Sequence, residues 1–110
     1  MRQLTFTVLA ERQLDDILSW KFEEFGPQQA ERYEDELINR CAAIASGVAA
    51  TQNCSMIMQP GAVSALRFGR AGQHLVVFLE KPDAIIIVGF LHGKSDLAAQ
   101  LELLSRKLER

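Results

Sequence analysis

Residues 85–101 read "IIIVGFLHGKSDLAAQL", and this stretch decides the fold. Ile85 to Leu91 is an apolar run broken only by Gly89, too short for a membrane span and rich in β-branched residues. It predicts a strand over 84–91, apolar at nearly every position and therefore central and covered on both faces. The run stops at His92-Gly93-Lys94-Ser95-Asp96. Leu97, Leu101, Leu104 and Leu108 then recur at spacings of four, three and four. Those spacings predict an amphipathic helix over about 95–109, supported by the Glu102–Arg106 pair.

Working backward, Lys81-Pro82-Asp83 is a turn, "QHLVVFLE" (73–80) a second strand, Ala71-Gly72 another turn, and "SALRFGR" (64–70) a third strand. Closely spaced strands separated by turn residues form an antiparallel meander. Residues 46–62, "SGVAATQNCSMIMQPGA", show no period and read as an irregular connection, long enough to suggest function or mobility. Before it lie two helical patterns. Leu14, Ile17, Leu18, Phe22 and Phe25 mark a helix over about 10–25. Ala30, Tyr33, Leu37, Cys41 and Ile44 mark another over about 28–45. Gly26-Pro27 separates them, with Gly suited to the position past a helix end and Pro to a first turn. "LTFTVL" (4–9) alternates as a strand that could pair beside the meander. The predicted architecture is α+β, β-α-α-β-β-β-α: a small antiparallel sheet with an N-terminal helical hairpin packed on one face, one domain over 1–110.

The composition limits the function. The chain has 110 residues and is 48% hydrophobic, enough for a core. The charged residues directly after the first short apolar segment do not form a signal-peptide pattern, and a cytoplasmic location is expected. Net charge is −2, which disfavours a broad nucleic-acid grip, and no specific nucleic-acid binding by the chain alone is expected. Residues 1–60 hold five basic against nine acidic residues, net −4, and residues 61–110 seven against five, net +2. Two faces with different partners would give this asymmetry, as would solvated helix surfaces. Cys41 and Cys54 are too few and too isolated for a zinc site and read as free thiols. No cofactor or metal is expected.

The polar candidates gather in the second half: Arg67 and Arg70 on one strand, His74 opening the next, and His92, Lys94 and Asp96 closing the third. In a meander the end of the last strand lies near the start of the middle one, so His92 is expected beside His74, with Lys94 and Arg70 near. One reading is a basic edge that cleaves RNA, with His moving protons and Arg or Lys stabilising phosphate charge. The other is a corner in which His92 bonds backbone, Gly93 takes a left-handed turn and Ser95 or Asp96 caps the last helix. Both stand at this point, with the structural one ahead. Trp20 and Tyr33 read as packing residues and "YEDELINR" (33–40) as a solvated helix face. "GRAGQ" (69–73) sits between strands and is no phosphate loop.

Taken in order, several elements resemble the ParE branch of the ParE/RelE toxin superfamily, over roughly residues 4 to 98. These are Leu14-Asp15-Asp16-Ile17; Phe25-Gly26 followed by Ala30, Arg32 and Tyr33; Leu66-Arg67; Gly72 to His74; and Leu91-His92-Gly93 with Lys94 and Asp96. The resemblance implies the fold just derived and the toxin of a type II toxin–antitoxin pair, neutralised by a small ParD-like antitoxin. ParE-like toxins poison DNA gyrase by trapping it on broken DNA, whereas RelE-like relatives are ribosome-dependent ribonucleases. On the ribonuclease alternative the catalytic set would be Arg67, Arg70, His92 and Lys94. On the inhibitor reading there is no catalytic residue, and Arg67, Arg70, His74, His92 and Lys94 would contact partners. Met56, Met58 and the Leu101 and Leu104 face of the last helix are candidates for the antitoxin contact. The alternative for these four is that they complete the core. The sequence departs from the family at Gln73, where a basic residue is common; at Val88-Gly89-Phe90, where an Arg is common; and in its long C-terminal helix.

Overall fold

The computed structural model describes residues 2–58, 60–61 and 64–108. In chain order the elements are β1 (Gln3–Phe6), α1 (Val8–Phe25), α2 (Pro27–Ser46), β2 (Gln52–Asn53), a 3-10 turn (Cys54–Ile57), β3 (Leu66–Ala71), β4 (His74–Glu80), β5 (Ala84–His92) and α3 (Leu97–Leu108). The five strands form one sheet in the order β1-β5-β4-β3-β2. The α+β class and the N-terminal helical hairpin are as read from the sequence.

Two features of the sheet go beyond that reading. β1 runs parallel to β5, Leu4 beside Ile85 and Phe6 beside Ile87, so the sheet is mixed and the meander β3-β4-β5 is its antiparallel part. With β1 on one side and β4 on the other, β5 has no free edge, as its near-continuous apolar run requires. The segment taken as irregular also carries β2, which pairs Gln52 with Phe68 and Asn53 with Arg67. Asn53 then opens the 3-10 turn by accepting the Ser55 amide at 2.8 Å.

Each helix forms for a local reason. Thr7 caps α1, its hydroxyl accepting the Ala10 amide at 3.1 Å. Gly26 ends α1 at φ +87°, a conformation an L side chain avoids, and Pro27 starts α2 where its missing N–H costs nothing. The predicted α2 face is the buried one: Ala30, Tyr33, Leu37, Cys41 and Ile44 are all in the core. Asp96 caps α3 by accepting the Ala99 amide at 3.2 Å, and α3 begins at Leu97.

Two clusters sandwich the sheet. The hairpin side holds Leu37, Cys41 and Ile44 of α2 over Val76, Phe78, Ile85, Ile87 and Phe90. The α3 side holds Leu101 and Leu104 over Leu75, Val77, Val88 and Leu91, with Cys54 and Leu66. A bulge decides which face the end of β5 uses. Val77 pairs with Gly89 but Phe78 with Ile87, leaving Val88 as the extra residue. Strict alternation from Ile85 would send Phe90 and His92 to the α3 face. The bulge returns Phe90 to the hairpin cluster, and His92 with it. Gln13 of α1 holds this irregularity by accepting the Phe90 amide at 2.8 Å. A Cβ at Gly89 would sit 3.0 Å from that Gln13 oxygen and 3.1 Å from Leu104, so any side chain there forces Gln13 or Leu104 to shift.

Candidate functional site

The polar corner forms at the open end of the sheet, on the hairpin side. His74 and His92 are cross-strand partners, their rings edge to face at 5.2 Å between centroids. This is the neighbourhood expected from the meander. Tyr33 of α2 anchors the pair: its hydroxyl oxygen accepts the Gln73 amide at 3.0 Å and lies 2.5 Å from His74 Nδ1. The Tyr33 proton has no other acceptor among the described residues, so the hydroxyl donates to Nδ1 and the His74 proton sits on Nε2. Burial, aided by the neighbouring His92 and Lys21, lowers the His74 pKa from 6.5 to about 4, so the ring is neutral near pH 7. Desolvation likewise raises the Tyr33 pKa.

The remaining corner bonds are structural. His92 Nδ1 accepts the Lys94 amide at 3.1 Å, and the His92 carbonyl accepts both the Ser95 amide and its hydroxyl. Gly93 differs from its expected role, because it is not left-handed. It is small because a Cβ there would meet the Gln73 carbonyl at 3.1 Å and the Arg70 guanidinium at 3.3 Å. Left-handed backbone falls instead at Gly72, φ +59°, where a Cβ would approach Tyr33 Cε1 to 2.8 Å.

The sequence candidates are thus only partly gathered. His74, His92 and Lys94 share the corner on the hairpin side, whereas Arg70, next to hairpin-facing Ala71 and so on the α3 face, reaches it only at Gly93. Arg67 does not: it lies four residues, about 13 Å of strand, from Ala71, the residue paired with His74. It faces the hairpin side with Ala71, opposite to Arg70, so it is distance along the strand that separates it from the histidines. Its guanidinium donates to the Thr51 carbonyl and hydroxyl at 3.3 and 3.1 Å. Met56 is exposed on the 3-10 turn, whereas Met58 is half-buried against the α3-side cluster. Leu101 and Leu104 are corrected from partner surface to core: both are buried under the sheet, so they present no open face. Trp20, expected to pack, is 52% exposed and stands edge-on to Phe25, 5.7 Å between centroids. Cys41 and Cys54 are free and buried, and burial pushes both thiols up to about 12, which leaves them unreactive near neutrality. Among the described residues no group of three His, Cys, Asp or Glu could hold a metal ion.

Sequence reasoning missed the wall supplied by α1. Asp16, Ile17, Trp20 and Lys21 close over Tyr33, Gln73, His74 and His92 to form a cleft of about 300 Å³. Lys21 Nζ rests 4.6 Å from the Tyr33 ring centroid and 4.8 Å from that of Phe25. Those α1 residues are more than 50 positions from His74, and only the packing of α1 beside the sheet end brings them there.

Acidification should therefore destabilise the fold through His74. Its folded pKa lies below 6.5, so the unfolded chain takes up a proton the folded chain refuses. Stability is whole above about pH 6.5, falls as pH drops through the window, and the loss is complete below about pH 4. The full linkage would approach 3 kcal/mol, and solvent reaching the half-buried ring reduces this to about 1–2 kcal/mol. Urea unfolding of wild type and His74→Gln at pH 7 and pH 4.5 measures the difference. Identical pH slopes would refute it.

A helical hairpin across one face of a mixed five-stranded sheet, with a hydrogen-bonded histidine corner at the sheet end, defines the class of small α+β domain. A family model described as the ParE toxin of the type II toxin–antitoxin system parDE matches residues 4–97, and the chain belongs to that family. Most of α3 lies beyond the matched residues. Among solved structures the fold is similar to that of a chain of a chromosomal ParDE TA system from P. aeruginosa. The TM-score is 0.64 at 19% identity, covering 84% of this chain and 96% of that one. No curated protein matches.

Proposed function

We propose that this chain, over its whole length 1–110, is a toxin that acts in the cytoplasm by binding rather than by chemistry. Its target is DNA gyrase, which it traps on broken DNA, and a ParD-like antitoxin neutralises it. Membership of the ParE toxin family supports the toxin role. The observation that carries the non-enzymatic reading is the dispersal of the candidate nuclease set. Arg67 is tied to Thr51 on the other face of the sheet from Arg70, and His92 Nδ1 is occupied by a backbone amide. A proton-transfer site needs its acid, base and phosphate-binding groups around one reacting atom.

The test is growth arrest on induced expression. Single Arg67→Ala, Arg70→Ala, His92→Ala and Lys94→Ala variants, checked for folding by circular dichroism, should each arrest growth within a few fold of wild type. Abolition of arrest by every one of the four, with folding intact, would transfer the chain to the ribosome-dependent ribonuclease reading.

A further inference from the structure

The cleft under Trp20 is open and apolar, and the corner's own bonds leave its two imidazoles facing it as donors. Tyr33 donates to His74 Nδ1, so His74 Nε2 carries a hydrogen. The Lys94 amide donates to His92 Nδ1, so the hydrogen of that imidazole sits on Nε2 as well. Neither Nε2 has an acceptor among the described residues, and no buried side-chain nitrogen or oxygen is left without a partner, so solvent reaches the His74 donor. The Lys21 ammonium is a third donor on the same wall, and it forms no salt bridge among the described residues. Against these three the lining carries one carboxylate, Asp16. The other walls are Ile17, Trp20 and Tyr33, apolar or aromatic, and the uncharged amide Gln73. Such a surface binds an apolar body with a hydrogen-bond acceptor at its edge.

We propose that this cleft is a docking site for a partner-protein segment that inserts one large apolar side chain, an aromatic one best, flanked by a carboxylate. The ring would lie against Trp20 and Tyr33, and the carboxylate would accept from the imidazole N–H groups and Lys21. A protein segment is favoured over a small molecule because the apolar surface does not end at the cleft. Trp20 contacts Phe25, and both are about half exposed, 52% and 51%, so the strip runs on to the hairpin turn. Exposed aromatics of this kind, flanking a pocket, are the anchors that dominate protein interfaces. The proposal rests on reading the chain as a protein-binding toxin and names the chemistry of one of its contacts.

The experiment is a titration of the full ¹⁵N-labelled chain, followed by amide and indole NMR shifts, with N-acetyl-Phe-Glu-amide and with N-acetyl-Phe-Lys-amide. The acidic peptide should give saturable shifts centred on the Trp20 indole N–H and the Gln73 amide. The basic peptide should bind about tenfold more weakly. Trp20→Ala, at a half-exposed position whose loss the fold withstands, should weaken the acidic peptide about tenfold, and Lys21→Glu should invert the preference. Equal affinity for the two peptides, or no saturable shift at these positions, would overturn the proposal. Neither gyrase nor growth enters the readout. Failure here would leave the toxin reading standing, and failure of the gyrase assay would leave this result standing.

Discussion

Phe78→Ala is expected to remove about 3–5 kcal/mol of stability, the range for emptying a buried aromatic site. Phe78 is 1% exposed and is the largest fully buried side chain. It lies in the central strand β4 beside Val76, Ile85 and Ile87, on the face that receives Leu37 and Cys41. It is also the residue at which β4 resumes pairing after the bulge, opposite Ile87. Neighbours pinned on two strands and a helix cannot collapse into the space, so the cavity persists and its cost adds to the lost transfer energy. A small domain has only about 5–15 kcal/mol in total, so much of the population should unfold. Urea denaturation measures the loss, and a change under 1 kcal/mol would contradict this account of the core.

Gly72→Ala is expected to cost about 2–4 kcal/mol from two sources. The added Cβ meets φ +59°, which costs about 1–3 kcal/mol for a non-glycine residue. It also lies 2.8 Å from Tyr33 Cε1 and 2.9 Å from a Glu36 oxygen. Tyr33 cannot swing away freely, because its hydroxyl bonds the Gln73 amide and His74. Displacing it loses about 1 kcal/mol per hydrogen bond. The variant carries a second signature. With Tyr33 displaced and the corner opened to water, His74 should titrate nearer 6.5 than 4, as read from its ring resonances by NMR. A variant as stable as wild type with an unchanged His74 would mean that the Tyr33 anchor is not what holds the corner.

How far the sequence reached depends on the range of the interaction concerned. Helix faces are local, and the stripe from Ala30 to Ile44 predicted the buried side of α2 residue by residue. The short turns at Ala71-Gly72 and at 81–83 fixed the meander, and with it the meeting of His74 and His92. Three things were not legible. The parallel pairing of β1 with β5 joins residues about 80 apart, and nothing in Leu4 to Phe6 chooses the strand's direction. The bulge at Val88 left no mark except Gly89, which also reads as an ordinary strand glycine. Trp20 is half exposed although it read as a packing residue, because helical period alone does not say which apolar residues of α1 lie over the sheet and which overhang its end. The same limit hid the cleft, whose walls come from α1, α2 and two strand ends.

The leucines of α3 show the converse error. Their spacing is equally suited to a partner seam and to a core face. The structure puts Leu101 and Leu104 in the core, where they cover the second face of β5. The exposed aromatics lie on the hairpin, at Trp20, Phe22 and Phe25, each about half exposed.

The most direct test of a toxin that acts by binding is the supercoiling reaction of purified DNA gyrase with ATP, in the presence and absence of the folded chain. A gyrase-trapping toxin gives loss of supercoiling together with accumulation of cleaved DNA. Full gyrase activity at a large molar excess of folded protein would contradict that reading.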